Sequence, residues 1–182
     1  YCINESFSPN VKETHITIKE QIEKGKAFHK KRCGAEKFIA YFQSFTNTYA
    51  DIETLRAYYE EALADKDVVG ISIGTRPDCV TDDILSLIDS YTKKYHVWIE
   101  YGLQSIHDET LKHINRGHDY KVFLDAITRT KKTCIRICVH VILGLPGEAR
   151  EDMMETAEAV AGLGVQGIKL HHLYVAKNTA LA

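Results

Sequence analysis

Glu100 and Gln104 are two polar side chains four residues apart in the segment IEYGLQS, residues 99 to 105. The segment is otherwise apolar and aromatic, which predicts a β-strand, and residues four apart on a strand point to the same face. A carboxylate binds hydroxyl or ammonium groups, and an amide can donate or accept a hydrogen bond. The pair therefore suits recognition of a small polar ligand near the end of a strand.

Other residues with ligand chemistry are less well placed for it. His171 and His172 are neighbours on a predicted strand, so they point to opposite faces and cannot both bind one ion without distortion. Cys134 and Cys138 would stand about 13 Å apart on a strand, and we expect buried structural thiols there. A metal-dependent barrel hydrolase that uses one of the histidines with Glu100 would need a third ligand, which the sequence does not nominate.

Residues 162 to 167, GLGVQG, match the dinucleotide-binding pattern G-x-G-x-x-G. That pattern needs a strand before it and a helix after it, so that the helix N-terminus meets the pyrophosphate. Here a predicted helix precedes the glycines and a predicted strand follows them. We therefore expect these glycines to end a helix.

Helices and apolar strands alternate along the whole chain. Helices are predicted over 14–31, 52–64, 82–94, 107–114, 120–132 and 150–164, and strands over 36–45, 67–74, 96–105, 134–148 and 166–176. Asp51 and Thr81 are the expected caps of the second and third helices. This alternation indicates right-handed βαβ units and a parallel sheet, either doubly wound or curved into a whole or partial barrel. In both cases the chemistry lies where strands end and loops begin.

Length and composition favour one soluble domain. The chain has 182 residues, with 23 Lys and Arg against 25 Asp and Glu, so no overall positive field would attract nucleic acid or anionic lipid, although a local basic patch is compatible with this balance. No apolar run approaches the roughly 20 residues of a membrane span. Five cysteines without a C-x-x-C pair suit a reducing compartment, and we expect a cytoplasmic protein with no membrane partner.

Four segments together resemble motifs of the radical S-adenosylmethionine superfamily: RPDC at 76–79, IEYGLQS at 99–105, NRGHD at 115–119 and ILGLPGE at 142–148. They follow one another in the expected order at the ends of successive strands, and the resemblance covers the whole chain. Within the superfamily, the chain resembles an uncharacterised bacterial branch that is similar to the catalytic subunit of the elongator complex. The resemblance implies a partial TIM-like (β/α)6 barrel with a parallel sheet, whose first strand is missing from this chain.

The resemblance also implies which residues bind S-adenosylmethionine. Arg116 resembles the arginine that pairs with the methionyl carboxylate, where its fork gives bidentate geometry. Glu100 and Gln104 would contact the ribose hydroxyls or the methionyl ammonium, and Gly144 would let the adenine approach the backbone beside Ile142. The methionyl amine is expected near four polar residues that follow the second barrel strand, namely Gln43, Ser44, Thr46 and Asn47.

Tyr1-Cys2 resembles the end of the loop C-x(n)-C-x-x-C that holds a 4Fe-4S cluster in this superfamily, where an aromatic residue commonly precedes the last cysteine. Cys2 is therefore expected to be a cluster ligand. The first strand and the first two cysteines would lie upstream, and the ligand set within this chain would be incomplete. Residues 1–182 would then form one core domain, truncated at its N-terminus and at its C-terminus.

The function implied by the resemblance is that of a radical S-adenosylmethionine enzyme, an oxidoreductase or transferase. It would generate a 5'-deoxyadenosyl radical and abstract hydrogen from an unidentified substrate, with RNA as one candidate class. A reducing partner such as flavodoxin or ferredoxin is implied as well, and the fragment alone is expected to be inactive. The alternative is a barrel domain that binds a nucleotide or RNA without radical chemistry.

Overall fold

The structure is a computed structural model that describes residues 16–177, 179 and 181. Within these residues the strands are β1 (Phe38–Phe42), β2 (Val68–Thr75), β3 (His96–Gln104), β4 (Arg136–Leu143) and β5 (Gly167–His172). The helices are α1 (Ile18–Cys33), α2 (Ile52–Leu63), α3 (Asp82–Ser90), α4 (Asp108–His113), α5 (Tyr120–Thr130) and α6 (Arg150–Gly162). Short 3₁₀ turns, Pro77–Cys79 and Tyr91–Lys93, precede and follow α3.

The five strands form one parallel sheet in the order β1-β2-β3-β4-β5. Each new strand adds to the same side of the sheet, whereas a doubly wound sheet would reverse its order at a switch point. Four strand spacings in a flat sheet would separate β1 from β5 by about 19 Å. Instead, the Tyr41 hydroxyl on β1 lies 2.8 Å from the Lys169 ammonium nitrogen on β5. The sheet is therefore curled into a half-barrel, which confirms the predicted fold class.

Alternation along each strand separates an apolar outer face from a polar inner face. Outward-pointing side chains of β2, β3 and β4 pack under the helices and are almost fully buried: Ile71, Ile73, Ile99, Tyr101, Leu103, Ile137, Val139 and Val141. Residues of the other parity line the concave side of the half-barrel, and several of them are polar, among them Ser72, Glu100 and His140. The core thus lies between the sheet and the helices, and the concave side is left for polar contacts.

The helices begin where side chains satisfy their first backbone N–H groups. Asp51 accepts a hydrogen bond from the Thr54 N–H at 2.9 Å, and Thr81 accepts one from the Ile84 N–H at 3.3 Å, so both predicted caps are confirmed. Asp119 caps α5 in the same manner. No helix in the described part of the chain is long and apolar enough to cross a bilayer.

The GLGVQG segment ends a helix, as its context predicts. Helix α6 stops at Gly162, Gly164 has a left-handed backbone with φ of +60°, and β5 begins at Gly167. The last strand is shorter than expected, because β5 ends at His172 rather than continuing to residue 176. One further backbone bond, from Leu173 N to Leu143 O at 3.0 Å, ties the following loop to β4.

Candidate functional site

The predicted site residues Gln104 and Arg116 meet at the end of β3. Arg116 lies in the loop after α4 and donates from Nε at 3.1 Å and from Nη2 at 2.6 Å to the carbonyl oxygen of Gly102. The Nε2 atom of His118 lies 3.3 Å from the same oxygen. Gln104 ends the strand with a φ of +78°, just after the register of β3 against β4 shifts between Gly102 and Gln104. The Gly102 carbonyl therefore helps to hold the arginine beside the carboxyl end of β3.

Gly102 is needed here because it lacks a side chain. A Cβ atom at this position would lie 2.5 Å from Nη2 of Arg116 and 2.8 Å from Nε2 of Gln104. Both distances are shorter than any ordinary contact, so a larger residue would have to displace both side chains. Gly102 is two residues from Glu100 on β3, so a Cβ at Gly102 would point to the concave side, as the Glu100 side chain does. The ends of Gln104 and Arg116, which lie beside that Cβ position, are therefore over the concave side of the sheet.

The RPDC and NRGHD segments pack against each other beside this point. Arg76 forms a bidentate pair with Asp78, from Nε at 2.9 Å and from Nη2 at 2.6 Å. Burial raises the pKa of Asp78, but the Arg76 guanidinium more than offsets this and holds the pKa below its ordinary value. A Cβ atom on Gly117, whose φ is +83°, would lie 2.8 Å from Nη2 of Arg76. The motif segments therefore converge at the carboxyl ends of β2 and β3.

The loop after β1 is organised by Asn47. Its amide nitrogen donates to the carbonyl oxygens of Phe42 at 3.0 Å, Ser44 at 2.9 Å and Gly74 at 2.9 Å. The Asn47 carbonyl accepts a hydrogen bond from Tyr59 at 2.7 Å. Asn47 thus holds this loop to the end of β2. The neighbouring predicted site residues differ in exposure, since Gln43 is exposed and Ser44 and Thr46 are half-buried.

The predicted adenine-facing residues follow β4. Ile142 shares the concave-side parity of His140 and is half-buried, and its Cα partner on β5 is His171. Gly144 is exposed and has a φ of +81°, and no atom lies within 4 Å of the position that its Cβ would take. The glycine is therefore required by its left-handed backbone rather than by a close neighbour.

Glu100 lies deeper, in the middle of β3, and its carboxylate is surrounded by donors. Ser72 donates to Oε1 at 2.5 Å, whereas Tyr41 at 2.9 Å and Lys169 at 2.6 Å donate to Oε2. His140 places Nε2 at 2.6 Å from the same Oε2 atom. These five side chains come from all five strands and form a connected cluster, which we call the polar belt. It spans the concave side of the half-barrel.

The polar belt holds Glu100 ionised although the residue is only 8% exposed. Burial alone raises the pKa of a carboxyl group, but hydrogen bonds from His140, Lys169, Ser72 and Tyr41 lower the pKa of Glu100 far below its ordinary value. The same carboxylate raises the pKa of Lys169 above its ordinary value, against the opposing effect of burial. The belt is therefore a paired charge that remains ionised at neutral pH.

Glu100, Cys138 and His140 place one potential metal-ligand atom each within 4.8 Å of one another, the one such group of three among the described residues. The Lys169 ammonium already contacts the Glu100 carboxylate and supplies the positive charge that a metal ion would otherwise bring. Burial, followed by the nearby Glu100 charge, raises the pKa of the Cys138 thiol and favours its neutral form. The close approach of Glu100, Cys138 and His140 is therefore explained by the ion pair between Glu100 and Lys169, without a metal ion.

The sequence did not single out Tyr41, Ser72, His140 and Lys169 as partners of Glu100. A signal for two of them exists, because His140 interrupts the apolar run RICVHVIL and Lys169 interrupts GIKL, each at a concave-side position. The sequence also did not predict the contact between His171 and His140, whose ring centroids lie 5.1 Å apart. Burial and the nearby His140 and Lys169 lower the pKa of His171.

The cluster ligand predicted at Cys2 lies outside the described residues. The described cysteines are dispersed, since Cys33 and Cys134 are exposed, Cys79 is half-buried after β2, and Cys138 is buried on β4. Cys138 is buried on β4 as expected, but the expectation of a buried thiol at Cys134 is wrong, because β4 begins only at Arg136 and Cys134 is exposed in the loop before it. None of the described cysteines shares a ligand group with another, so within residues 16–177 they do not form a cluster-binding set.

Comparisons with known proteins agree with the fold. A profile of the Radical SAM superfamily matches residues 1–160. The uncharacterized protein YtqA of Bacillus subtilis is 50% identical over 145 residues, which cover 80% of this chain and 45% of YtqA. Protein YhcC of Escherichia coli K12 is 38% identical over 183 aligned residues, which cover 100% of this chain and 58% of YhcC. The structure of Elp3 from the archaeon Methanocaldococcus infernus aligns with a TM-score of 0.71 at 20% identity, over 89% of this chain and 42% of Elp3.

The chain belongs to the radical S-adenosylmethionine superfamily, and its predicted place near the Elp3-like branch is confirmed. It spans about half the length of the curated relatives that it matches. The donor set at the end of β3 fits the cofactor that this family implies, because a guanidinium suits a carboxylate and an amide suits a hydroxyl or an ammonium group. The space over Gly102, which a Cβ would fill, brings the two donors together.

Proposed function

We propose that the protein containing this chain is a radical S-adenosylmethionine enzyme that binds its cofactor at the carboxyl ends of the half-barrel strands. The observation that carries the proposal is the joint placement of Arg116 and Gln104 over Gly102. In this proposal residues 1–182 belong to the core domain, and Cys2 is one ligand of a 4Fe-4S cluster. When bound, cofactor and cluster together supply hydrogen-atom abstraction by an organic radical.

The chain's own residues have separate tasks in this proposal. Arg116 binds the methionyl carboxylate, and the Gly102 carbonyl holds the guanidinium in place for it. Gln104 orients the ribose hydroxyls or the methionyl ammonium, and Gly144 with Ile142 borders the adenine. Ser44, Thr46 and Gln43 lie on the loop that Asn47 anchors, near the methionyl amine.

The sequence suggests that Glu100 contacts the cofactor directly, whereas in this proposal it acts through the polar belt. Both of its oxygen atoms already accept hydrogen bonds within the polar belt, so the carboxylate contributes to the cofactor site by fixing the shape of the concave side. The charged groups of the polar belt are paired with one another, which limits unwanted proton exchange near a reactive species. The substrate would approach the mouth of the half-barrel above the belt. RNA stays one candidate substrate class.

The test uses the intact protein that contains this chain, reconstituted with iron and sulfide under anaerobic conditions. S-adenosylmethionine binding is titrated, and the formation of 5'-deoxyadenosine after reduction is measured with a flavodoxin-type reductant. Arg116→Ala should weaken binding by about ten- to a hundred-fold, because it removes a charge-assisted bidentate contact. Gln104→Ala should weaken it roughly five-fold, as expected for one neutral hydrogen bond.

The matched control is Arg56→Ala, because Arg56 makes only surface pairs with Glu53 at 3.7 Å and Glu60 at 3.9 Å. It should leave binding unchanged. Binding without 5'-deoxyadenosine would favour the alternative, a nucleotide-binding barrel without radical chemistry. Unchanged binding in the Arg116 variant, with a large loss of thermal stability, would make this arginine a structural residue and overturn the proposed site.

A further inference from the structure

A basic cleft of about 600 Å³ lies at the opposite end of the sheet from the candidate cofactor site. It is formed where β2, β3 and β4 begin, and its lining includes Val68, Val69 and Val97. Its charged and titratable lining consists of Lys66, Lys93, Lys94, His96 and Arg136, all of them exposed. Four permanent cations therefore face one open cleft in a chain whose net charge is -2.

The cations of the cleft are not neutralised by neighbouring acids. No carboxylate of the described residues lies within 4.0 Å of the side-chain nitrogen atoms of Lys66, Lys93, Lys94 or Arg136. The acids flanking Lys66, Asp65 and Asp67, are both bound to Lys26, at 2.7 and 2.8 Å.

The nearest acid on α3 is also engaged. Asp89 accepts a hydrogen bond from the Cys134 backbone N–H at 2.8 Å, and Cys134 itself lines the cleft. Asp89 keeps its negative charge, because a backbone N–H does not neutralise a carboxylate. It is one acid beside four cations, so the cleft still presents a local positive potential.

Aromatic rings hold two of the cations in position. The Lys94 ammonium lies 5.1 Å from the ring centroid of Tyr95, and the Arg136 guanidinium lies 5.7 Å from that of Trp98. Tyr95 is itself anchored, because its hydroxyl donates to Leu63 O at 3.4 Å. A cation stacked on an aromatic ring loses less side-chain freedom when it binds an anion. The cleft is therefore partly preorganised for anion binding.

We propose that this cleft binds the phosphodiester backbone of a single-stranded nucleic acid. Its cations are spread over the beginnings of three neighbouring strands, which lie about 4.8 Å apart, so they suit successive phosphates better than one compact anion. Interleaved aromatic and basic side chains are the usual composition of such surfaces. The site lies at the other end of the sheet from Arg116 and Gln104, and it does not depend on the proposed radical chemistry.

The experiment measures the fluorescence anisotropy of labelled 12-nucleotide single strands, one of RNA and one of DNA, with the intact protein that contains this chain at several salt concentrations. The cleft variant is Lys93→Gln, Lys94→Gln and Arg136→Gln combined, which keeps the aliphatic stems. The control variant removes three cations outside the cleft, the half-buried Arg56 and the exposed Lys121 and Arg150: Arg56→Gln, Lys121→Gln and Arg150→Gln. Both variants change the net charge by the same amount, and circular dichroism melts establish that both fold.

The unmodified chain should bind at low salt, and affinity should fall as salt rises. The cleft variant should bind at least about ten-fold more weakly, with a salt slope reduced by roughly 2, the value for three phosphate contacts on a single strand. The control variant should bind like the unmodified chain. Comparison of the RNA and DNA arms identifies which sugar the strand carries.

Equal losses in the cleft and control variants would show a general charge effect and overturn the proposal. So would the absence of binding by the unmodified chain at low salt. Binding to vesicles containing phosphatidylserine, without binding to either oligonucleotide, would assign the cleft to a membrane surface instead.

Discussion

The ammonium nitrogen of Lys169 lies 2.8 Å from the hydroxyl oxygen of Tyr41 and 4.6 Å from the centroid of its ring. These residues belong to β5 and β1, the two edges of the sheet. Their contact joins edges that the order of the strands keeps apart, and it does so through the polar belt around Glu100. The curvature of the half-barrel is therefore stabilised by side chains on its concave side as well as by packing beneath the helices.

Replacement of Lys169 should destabilise the fold through the charge that it leaves behind. Lys169→Met keeps the stem but leaves Glu100 without its ammonium partner, and a hydrogen bond to a charged group contributes about 1.5–3 kcal/mol. The lysine side chain is 35% exposed, so water can solvate the Glu100 carboxylate in the variant and offset part of the lost interaction energy. We therefore expect a loss of about 1–2 kcal/mol in unfolding free energy. Urea denaturation measures it.

The double variant Lys169→Met, Glu100→Gln should lose less than the sum of the two single variants, with a coupling of about 1 kcal/mol. Lys37→Met serves as the control, since Lys37 is 60% exposed and lies 3.9 Å from Asp67. It should change stability by less than about 0.5 kcal/mol. Additive losses at Lys169 and Glu100 would contradict the polar belt.

Protonation of Glu100 at acid pH should lower the unfolding free energy of the chain. The pKa of this carboxyl is lower in the folded chain than its ordinary value of 4.5, so its contribution is complete above that value and is lost as the pH falls below it. Glu100→Gln removes this titration. Below pH 4.5 the unfolding free energy of the unmodified chain should fall more steeply than that of the variant, by up to about 1.4 kcal/mol per pH unit. Parallel pH profiles from urea melts would contradict an ionised, paired Glu100.

Gly102→Ala should damage the cofactor site more than the fold. The new Cβ would meet the mobile ends of Arg116 and Gln104, which can move without displacing the strand. We expect S-adenosylmethionine binding in the reconstituted protein to weaken by about ten-fold and the melting temperature to change little. Gly162→Ala is the matched control, because a Cβ there meets nothing within 4 Å. Loss of folding in the Gly102 variant, or full cofactor affinity, would refute the arrangement.

The amide of Asn47 should be essential for the loop after β1. Asn47→Asp replaces the donor to three carbonyl oxygens by a carboxylate that faces the same oxygens. We expect a loss of roughly 1–3 kcal/mol in unfolding free energy, because the part-buried carbonyls lose the amide donor and face a negative charge instead. The same amide-to-acid change at the exposed Gln43 should alter stability by less than about 0.5 kcal/mol. If both changes have equal effects, Asn47 does not organise this loop.

Alternating apolar runs predict the strands well because a parallel sheet covered by helices needs continuous apolar segments such as those of β2 and β4. The role of GLGVQG as the end of a helix is also predictable, because a helix precedes its glycines and a strand follows them. The candidate site is predicted only in part. Arg116 and Gln104 follow from their motifs, but the glycine carbonyl that holds the arginine depends on the register shift in β3, which arises from pairing with β4.

The polar belt is harder to predict, because its members are separated along the chain by up to 128 residues. Ser72, His140 and Lys169 each have apolar neighbours on both sides in their strands, and only the curvature of the sheet brings them to Glu100. Sequence spacing within one strand gives the face of a residue but not its distance to a residue on another strand.

Trp98 is the one tryptophan of the chain, and its ring centroid lies 5.7 Å from the guanidinium of Arg136, which lines the basic cleft. Its ring also lies 3.3 Å from the position that a Cβ of Gly167 would take, so the indole is held between β3, β4 and β5. Intrinsic emission of the protein excited at the indole band therefore originates from a single place. A ligand that displaces the Arg136 guanidinium from the indole should therefore change the tryptophan emission, so binding at the cleft can be followed without an attached dye.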